Sequence, residues 1–261
     1  MSHRDPQKAV MRSEACLRPT PPLALVKQSL QLRAMNDTPA NVLPARRAIP
    51  IAQVGLIAMD MDSTAITIEC IDELADFAGV KAEVSAITES AMRGELDFQQ
   101  SLKQRVACLK GLSTATLAEV YESRLRPSRG LAELMEYAHK NGVKTMLVSG
   151  GFTYFTERMR QRFGYTYTRA NTLGERNGRL TGTVCGAIVD AQEKERVLRF
   201  AASMLPASRN ATIALGDGAN DLPMLKAATL GVAYHAKTTV RQQVPVAINV
   251  GGLDTLIALL P

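Results

Sequence analysis

The chain has no Cys-x-x-Cys pair: its four cysteines, Cys16, Cys70, Cys108 and Cys185, stand far apart in the sequence. That spacing argues against a structural zinc site or a disulfide framework and suits a reducing compartment, so the expected location is the cytoplasm. No apolar run approaches the roughly 20 residues needed to cross a bilayer, and the N-terminus has no apolar h-region of a secretory signal. A membrane is therefore not an expected partner. Despite a pI near 9.2 and a net charge of +6, the body of the chain lacks a basic excess. Residues 1–50 hold eight Lys/Arg against three Asp/Glu, which leaves 23 basic and 22 acidic residues in the remainder. The basicity belongs to the N-terminal stretch, and no nucleic-acid partner is expected for the rest.

That N-terminal stretch also carries seven of the twelve prolines. Residues 1–50 read as a Pro-rich, basic extension, poorly ordered apart from a possible short helix over Leu23 to Leu32. Its Arg-rich character faintly resembles a transit peptide, without the serine richness or a sustained amphipathic face.

From residue 51 the pattern changes to alternating apolar runs and amphipathic stretches. Val54 to Met59 reads as a buried strand. After it, residues 67–125 show helical spacing and almost no strand signal. Ile71, Leu74, Ala75 and Ala78 share a face ahead of Gly79, a second helix spans Ala82 to Arg93, Asp97 with Gln100 forms a capping-box pattern opening a helix through Lys110, and Thr114 to Arg124 is a fourth. Four helices are too many for one crossover, so 67–125 is expected to be an inserted helical cap. Alternation then resumes: helix Leu131 to Asn141, strand Val143 to Val148, helix Phe152 to Phe163, short strand Tyr165 to Arg169, and a hairpin over 172–184 turning at Asn177-Gly178. A helix carrying Lys194 near its start, strands at Thr212 to Leu215, Leu230 to Ala233 and Ala247 to Val250, a helix from about Leu222 and a closing helix over Leu253 to Leu260 complete the chain. The expected fold is α/β, with a doubly wound parallel sheet built from 51–66 and 126–261.

Three of these strands end in polar clusters: Asp60-x-Asp62, Ser149-Gly150-Gly151 and Gly216-Asp217-x-x-Asn220-Asp221. In a parallel sheet such ends share one edge, where ligands bind. Asp60, Asp62, Asp217 and Asp221 would form an acidic basin, which requires a hard divalent cation; oxygen-only donors favour Mg²⁺ over Zn²⁺. Lys194 supplies fixed positive charge, and Ser149 and the Gly150 amide suit phosphate oxygens. A cation, a lysine and small donors around a carboxylate describe a phosphoryl-transfer site, in which the carboxylate can attack phosphorus.

These motifs resemble the haloacid dehalogenase-like phosphohydrolases. The resemblance rests on 59–79 (MDMDSTAITIECIDELADFAG), 91–111 (AMRGELDFQQSLKQRVACLKG), 149–152 (SGGF), 189–194 (VDAQEK) and 216–228 (GDGANDLPMLKAA), and extends over about 54–261. It implies a core with an inserted cap, a Mg²⁺ cofactor and a small-molecule substrate, O-phospho-L-serine, hydrolysed through an aspartyl-phosphate. By the same resemblance Asp60 is the nucleophile and Asp62 the general acid/base. The metal is held by Asp60, the backbone carbonyl of Asp62 and Asp217, with Asp221 supporting. Ser149, Gly150 and Lys194 bind phosphate, and Asn220 lies near substrate. In the cap, Glu69 faces the substrate ammonium and Arg105 its carboxylate, while Met92 and Phe98 close over it. Phosphothreonine, phosphohomoserine or transfer between amino acids are the alternatives. A receiver-like signalling module is disfavoured by Asp62 and by the insertion. The expected assembly is a monomer or homodimer. Cys70, Cys108, His139 and His235 have no assigned chemistry.

Overall fold

A computed structural model describes residues 40–44 and 47–261. Its central strand, β1 (Val54–Met59), is buried at every position, as a strand covered on both faces must be. The strand leads into an irregular turn at Met61–Ala65, where Ser63 takes a left-handed φ of 56°. Four helices follow: α1 (Cys70–Ala78), α2 (Lys81–Met92), α3 (Phe98–Cys108) and α4 (Ala115–Ser123). Gly79 ends α1 at φ 70°, the left-handed C-cap that glycine adopts without a Cβ penalty. The box opening α3 is complete: Gln100 N–H donates to Asp97 Oδ1 at 2.8 Å, and Asp97 N–H donates to Gln100 Oε1 at 3.1 Å.

The remaining elements are α5 (Leu131–Lys140), β2 (Lys144–Phe152), α6 (Thr153–Phe163), β3 (Tyr167–Arg176), β4 (Arg179–Cys185), α7 (Ala191–Ser203), β5 (Ala211–Gly216), α8 (Leu222–Ala227), β6 (Leu230–Tyr234), α9 (Thr238–Arg241), β7 (Val246–Ile248) and a closing 3-10 helix over Leu253–Leu259. The seven strands lie in the order β4-β3-β2-β1-β5-β6-β7. All pairs are parallel except the β3–β4 hairpin. From β1 the chain winds first towards β2 and β3, then returns to β5 on the other side. The crevice beyond the carboxyl ends of β1 and β5 is thus a topological switch point, where ligands bind in sheets of this kind.

Alternation along β1 sorts the core into two layers. Ile57 and Met59 pack with α5 and α6 residues such as Leu134 and Phe155, while Leu56 and Ala58 pack with Leu198 of α7 and Leu225 of α8. Close packing sets local residue choice too. A Cβ at Gly55 would lie 2.9 Å from the Leu205 side chain and clash with the Arg209 carbonyl.

The structure departs from the sequence expectations in three places. β2 runs through Ser149-Gly150-Gly151 to Phe152 rather than ending before them. β3 is one long strand that pairs parallel with β2 and then antiparallel with β4, where a short strand and a separate hairpin were expected. Asn171 holds the strand across the join: its Nδ2–H donates to Gly150 O at 2.7 Å and its Oδ1 accepts from Val189 N–H at 2.8 Å.

The third departure concerns the end of the N-terminal extension. Val42 pairs antiparallel with Ala247 on the outer edge of β7. Asn41 Oδ1 accepts the Asn249 and Val250 amides at 2.7 and 2.8 Å, and Ile49 N–H donates to Leu259 O at 2.9 Å. An exposed strand edge has unpaired backbone groups, and residues 40–44 satisfy them. The expectation of poor order up to residue 50 is therefore wrong for 40–44 and 47–50. The expected helix at Leu23 to Leu32 and the rest of the extension, residues 1–39, 45 and 46, lie outside the described residues.

Candidate active site

Asp60 leaves β1 with its N–H still bonded to Leu215 O at 3.0 Å, so its position is fixed by the sheet. The turn that follows curls back on itself, with Ala65 N–H donating to Asp60 O at 3.2 Å. It thereby brings Asp62 beside the end of β2. Asp62 Oδ1 accepts the Cys70 amide at the start of α1, at 3.3 Å. Gly151 permits this approach: a Cβ there would lie 2.6 Å from Asp62 Oδ2 and 3.0 Å from Ser149 Oγ.

Lys194 comes from the first turn of α7, which Asp190 caps by accepting Glu193 N–H at 3.0 Å. Its side chain is 1% exposed, and Nζ donates to Asp60 Oδ1 and Asp221 Oδ1, each at 2.7 Å. Asp217 and Asp221 follow β5. Asp221 Oδ2 accepts Gly218 N–H at 3.0 Å, and Asp217 Oδ1 accepts the Thr64 hydroxyl at 3.0 Å. Asp60, Asp217 and Asp221 each offer a carboxylate oxygen within 4.8 Å of the others.

Over this cluster lies a cavity of about 120 Å³, bounded on the α1 and α3 side by Glu69, Phe98, Leu102 and Arg105 and below by Asp60, Asp62, Gly150, Asp217 and Asn220. Phe98 roofs Gly150, where a Cβ would lie 3.0 Å from the ring. Of the residues expected from sequence, Ser149, Lys194 and Asp221 sit buried behind this lining. Ser149 is fully buried and its Oγ accepts Gly151 N–H at 2.8 Å. Met92 is the exception. It is 66% exposed and does not border the cavity, because it ends α2 just before Gly94 turns the chain at φ 80°. The expectation that Met92 closes over a ligand is not met in this structure.

Several neighbours escaped the sequence reading. Leu102 lines the cavity between Phe98 and Arg105 on α3; positions 98, 102 and 105 share one helical face, and that period is the signal that could have found it. Ser63 Oγ–H donates to Glu69 Oε1 at 2.7 Å. The tie from Thr64 to Asp217 joins residues 153 apart in sequence, and nothing local announces it.

The electrostatics follow from burial. Desolvation, then Asp221, pushes the Asp60 carboxyl well above the usual range, against the pull of Lys194. Asp62 is raised to about 7 by burial and then by Glu69, and Asp217 to about 6 by burial and then by Asp221. Glu69 is open to the cleft as a residue, yet its carboxylate is also raised, mainly by desolvation. Burial favours the neutral amine of Lys194, but Asp221 and Asp60 outweigh it and hold the ammonium. Arg105 is lowered by burial, and among the described residues its Nε has no hydrogen-bond partner. Three crowded carboxylates with one lysine between two of them are short of positive charge. Their donor set is oxygen only, with no His or Cys, which fits a hard divalent cation. Above them, the Glu69 carboxylate and the Arg105 guanidinium face one small space.

Comparison with known proteins agrees with this arrangement. A family model described as haloacid dehalogenase-like hydrolase matches residues 57–226. A phosphoserine phosphatase of Polaromonas sp. is 53% identical over 217 residues, covering 81% of this chain and 92% of that protein. The unliganded structure of a probable phosphoserine phosphatase from Vibrio cholerae superposes with a TM-score of 0.76 at 41% identity, covering 90% of this chain and 72% of that one. A substrate-bound phosphoserine phosphatase complex superposes with a TM-score of 0.73 at 34% identity, covering 80% and 99% of the two chains.

Proposed function

Because the chain belongs to the haloacid dehalogenase-like hydrolase family, we propose that it is a Mg²⁺-dependent phosphatase hydrolysing O-phospho-L-serine to L-serine and phosphate, the last step of L-serine biosynthesis. The observation that carries this reading is the pairing across one small cavity. A strand-end carboxylate held by a buried lysine faces Glu69 and Arg105, whose Nε has no hydrogen-bond partner among the described residues. A phosphorylated amino acid presents the matching groups: phosphate, ammonium and carboxylate.

In this reading Asp60 Oδ attacks phosphorus and the phosphoryl group moves to the carboxylate, while the seryl oxygen leaves. Asp62, with a carboxyl raised to about 7, holds a proton near neutral pH and gives it to that oxygen; as the carboxylate it then takes one from the water that hydrolyses the aspartyl-phosphate. Mg²⁺, held by Asp60, the Asp62 carbonyl and Asp217 with Asp221 supporting, would neutralise phosphoryl oxygens. Lys194, Ser149 and the Gly150 amide bind the same oxygens, and Asn220 lies beside them. Arg105 offers a planar fork to the substrate carboxylate, Glu69 receives the ammonium, and Phe98 excludes water. We also take 67–125 as the cap, and scattered free Cys70, Cys108 and Cys185 as consistent with the cytoplasm. No helix among the described residues is long and apolar enough to cross a membrane.

The direct test is phosphate release from O-phospho-L-serine, O-phospho-L-threonine, phosphohomoserine and p-nitrophenyl phosphate, with Mg²⁺ and with chelator. The expected result is a strong preference for phosphoserine and loss of turnover in chelator; equal rates on all four would sink the assignment. Arg105→Ala should lower kcat/KM for phosphoserine about 10- to 100-fold while leaving p-nitrophenyl phosphate nearly unchanged. An unaltered preference would remove Arg105 from substrate recognition.

Stability carries a second prediction. In chelator, folded Asp60, Asp62 and Asp217 hold protons more tightly than in the unfolded chain. The folded state binds more protons, so stability falls as pH rises from about 4 through 6 to 7. Asp62 alone accounts for on the order of 3–4 kcal/mol over that window. Added Mg²⁺ should therefore raise the thermal midpoint more at pH 8 than at pH 5. A pH-independent increment would place the ion elsewhere.

A further inference from the structure

The helix that carries Phe98 and Arg105 is held to the core unequally at its two ends. Just past the C-terminal end of α3 the ties are backbone bonds to the β3–β4 hairpin: Gly111 N–H donates to Leu180 O at 2.8 Å, Leu180 N–H to Leu112 O at 2.9 Å and Thr114 N–H to Gly178 O at 2.9 Å. At the N-terminal end there is one side-chain bond, from Gln99 Nε2–H to Asp190 Oδ2 at 2.8 Å. Among the described residues it is the one hydrogen bond or ion pair that joins 81–108 to the core. We propose that Gln99 and Asp190 are positioning residues for substrate recognition: their bond holds the start of α3, and with it Phe98 and Arg105, over the cavity. The proposal rests on the phosphatase reading for the identity of the substrate.

Asp190 is anchored on the core side. It stands just before α7, accepts Glu193 N–H at 3.0 Å through Oδ1 and accepts Lys194 N–H at 2.9 Å through its backbone carbonyl. The preceding residue, Val189, is held by the buried Asn171, which also holds Gly150 O. One end of the Asp190 carboxylate thus belongs to the helix that carries Lys194, and the other end reaches α3. The Glu193 amide, with Gln99 adding to it, holds that carboxyl below its usual range. It is ionised at neutral pH, and its bond to Gln99 is charge-assisted.

On the other side, Gln99 follows Phe98, whose ring roofs Gly150. Positions 98, 102 and 105 present one face of α3 to the cavity. A helix moves as a unit, so a bond at 99 sets where Phe98 and Arg105 stand. Backbone bonds fix one end of α3, and a single exposed side-chain bond decides the other. The binding-competent arrangement is the one with this bond made, and breaking it lowers the competent fraction and raises the apparent dissociation constant in proportion. Once substrate bridges Glu69 and Arg105 the arrangement is restored, so the chemical step is spared.

The test exchanges the polarity of the pair in the full chain. Gln99→Glu sets a second carboxylate against Asp190. Asp190→Asn in that background supplies a donor again, and Asn starts a helix as well as Asp does, so α7 keeps its first turn. In Asp190→Asn alone the Gln99 amide turns its oxygen to the new donor and the bond is kept. With Mg²⁺, KM for O-phospho-L-serine should rise about 3- to 10-fold in Q99E at unchanged kcat, and return to within about 2-fold of the parent in Q99E/D190N, with D190N alone also within that range. p-Nitrophenyl phosphate, which offers nothing to Arg105, should keep its kcat/KM within about 2-fold throughout. An unchanged KM in Q99E, a lowered kcat, no recovery in Q99E/D190N, or an equal loss on p-nitrophenyl phosphate would overturn the proposal. Hydrogen exchange reads the same tie without turnover. In the absence of ligand the amides of 98–102 should exchange about 3-fold faster or more in Q99E and return to the parent rate in Q99E/D190N, while those of 111–114 stay unchanged. Equal exchange in Q99E and the parent chain would overturn it too. A parent chain that does not turn over phosphoserine would sink the proposed function and leave the exchange rates to decide the tie.

Discussion

Asp60→Asn should lower turnover of O-phospho-L-serine by about 10⁴-fold or more while leaving the folded protein at least as stable in chelator as the parent chain. The loss follows from the role proposed for the carboxylate: an amide cannot take the phosphoryl group, and removing a nucleophile from a cooperating set costs nearly the whole chemical advantage. The stability direction follows from its surroundings. Burial and Asp221 already push the Asp60 carboxyl well above its usual range, so the ionised form is a burden on the fold. A neutral isostere removes one of three crowded charges and retains the shape. A protein that lost activity only because it unfolded would instead show a lowered midpoint. Initial rates with and without Mg²⁺, with thermal melts in chelator, separate the two.

Lys194→Met should have the same effect on activity and the opposite effect on stability. The ammonium is 2.7 Å from both Asp60 and Asp221 and is 1% exposed. Methionine matches its length and apolar stem, but leaves two buried carboxylates facing each other without a cation. Removing one partner of a buried ionic set costs about 3–5 kcal/mol. The penalty depends on pH in a defined direction. With Lys194 gone the Asp60 carboxyl, already raised by burial, loses the cation that pulls it down, so the variant binds more protons folded than unfolded and loses stability as pH increases. As pH falls and Asp60 takes up its proton, the difference from the parent chain should shrink. An equal midpoint at pH 8 would contradict the ion-pair geometry.

Much of this was legible because the site is built by sheet rules. Val54 to Met59 is apolar apart from Gly55, and a short apolar run of this kind reads as a buried strand; the polar clusters after two further strands are what turn its terminal acids from a plain turn into a site. Once β1, β2 and β5 are parallel neighbours, Asp60, Ser149 and Asp217 must meet, whatever their separation in sequence. The Asp97–Gln100 box and the Gly79 cap were equally readable, since both depend on residues within one helical turn. What escaped depends on distant pairings. The stretch between α3 and α4 hydrogen-bonds to the β3–β4 hairpin, with Gly111 N–H donating to Leu180 O at 2.8 Å and Leu180 N–H donating to Leu112 O at 2.9 Å. No local pattern in 111–114 or 178–180 announces that contact. The docking of Val42 on β7 was hidden in the same way behind a proline-rich composition. Met92 failed for another reason. Its motif position is clear, but whether a helix end turns inward depends on the packing of the next corner.

Rapid-quench labelling with O-[³²P]phospho-L-serine tests the central claim most directly. The label should appear on the chain within the first turnover, be released by hydroxylamine as an acyl phosphate is, and map to the peptide containing Asp60. It should be absent in Asp60→Asn. Turnover at full rate with no covalent label, or label on a peptide other than that of Asp60, would contradict the account.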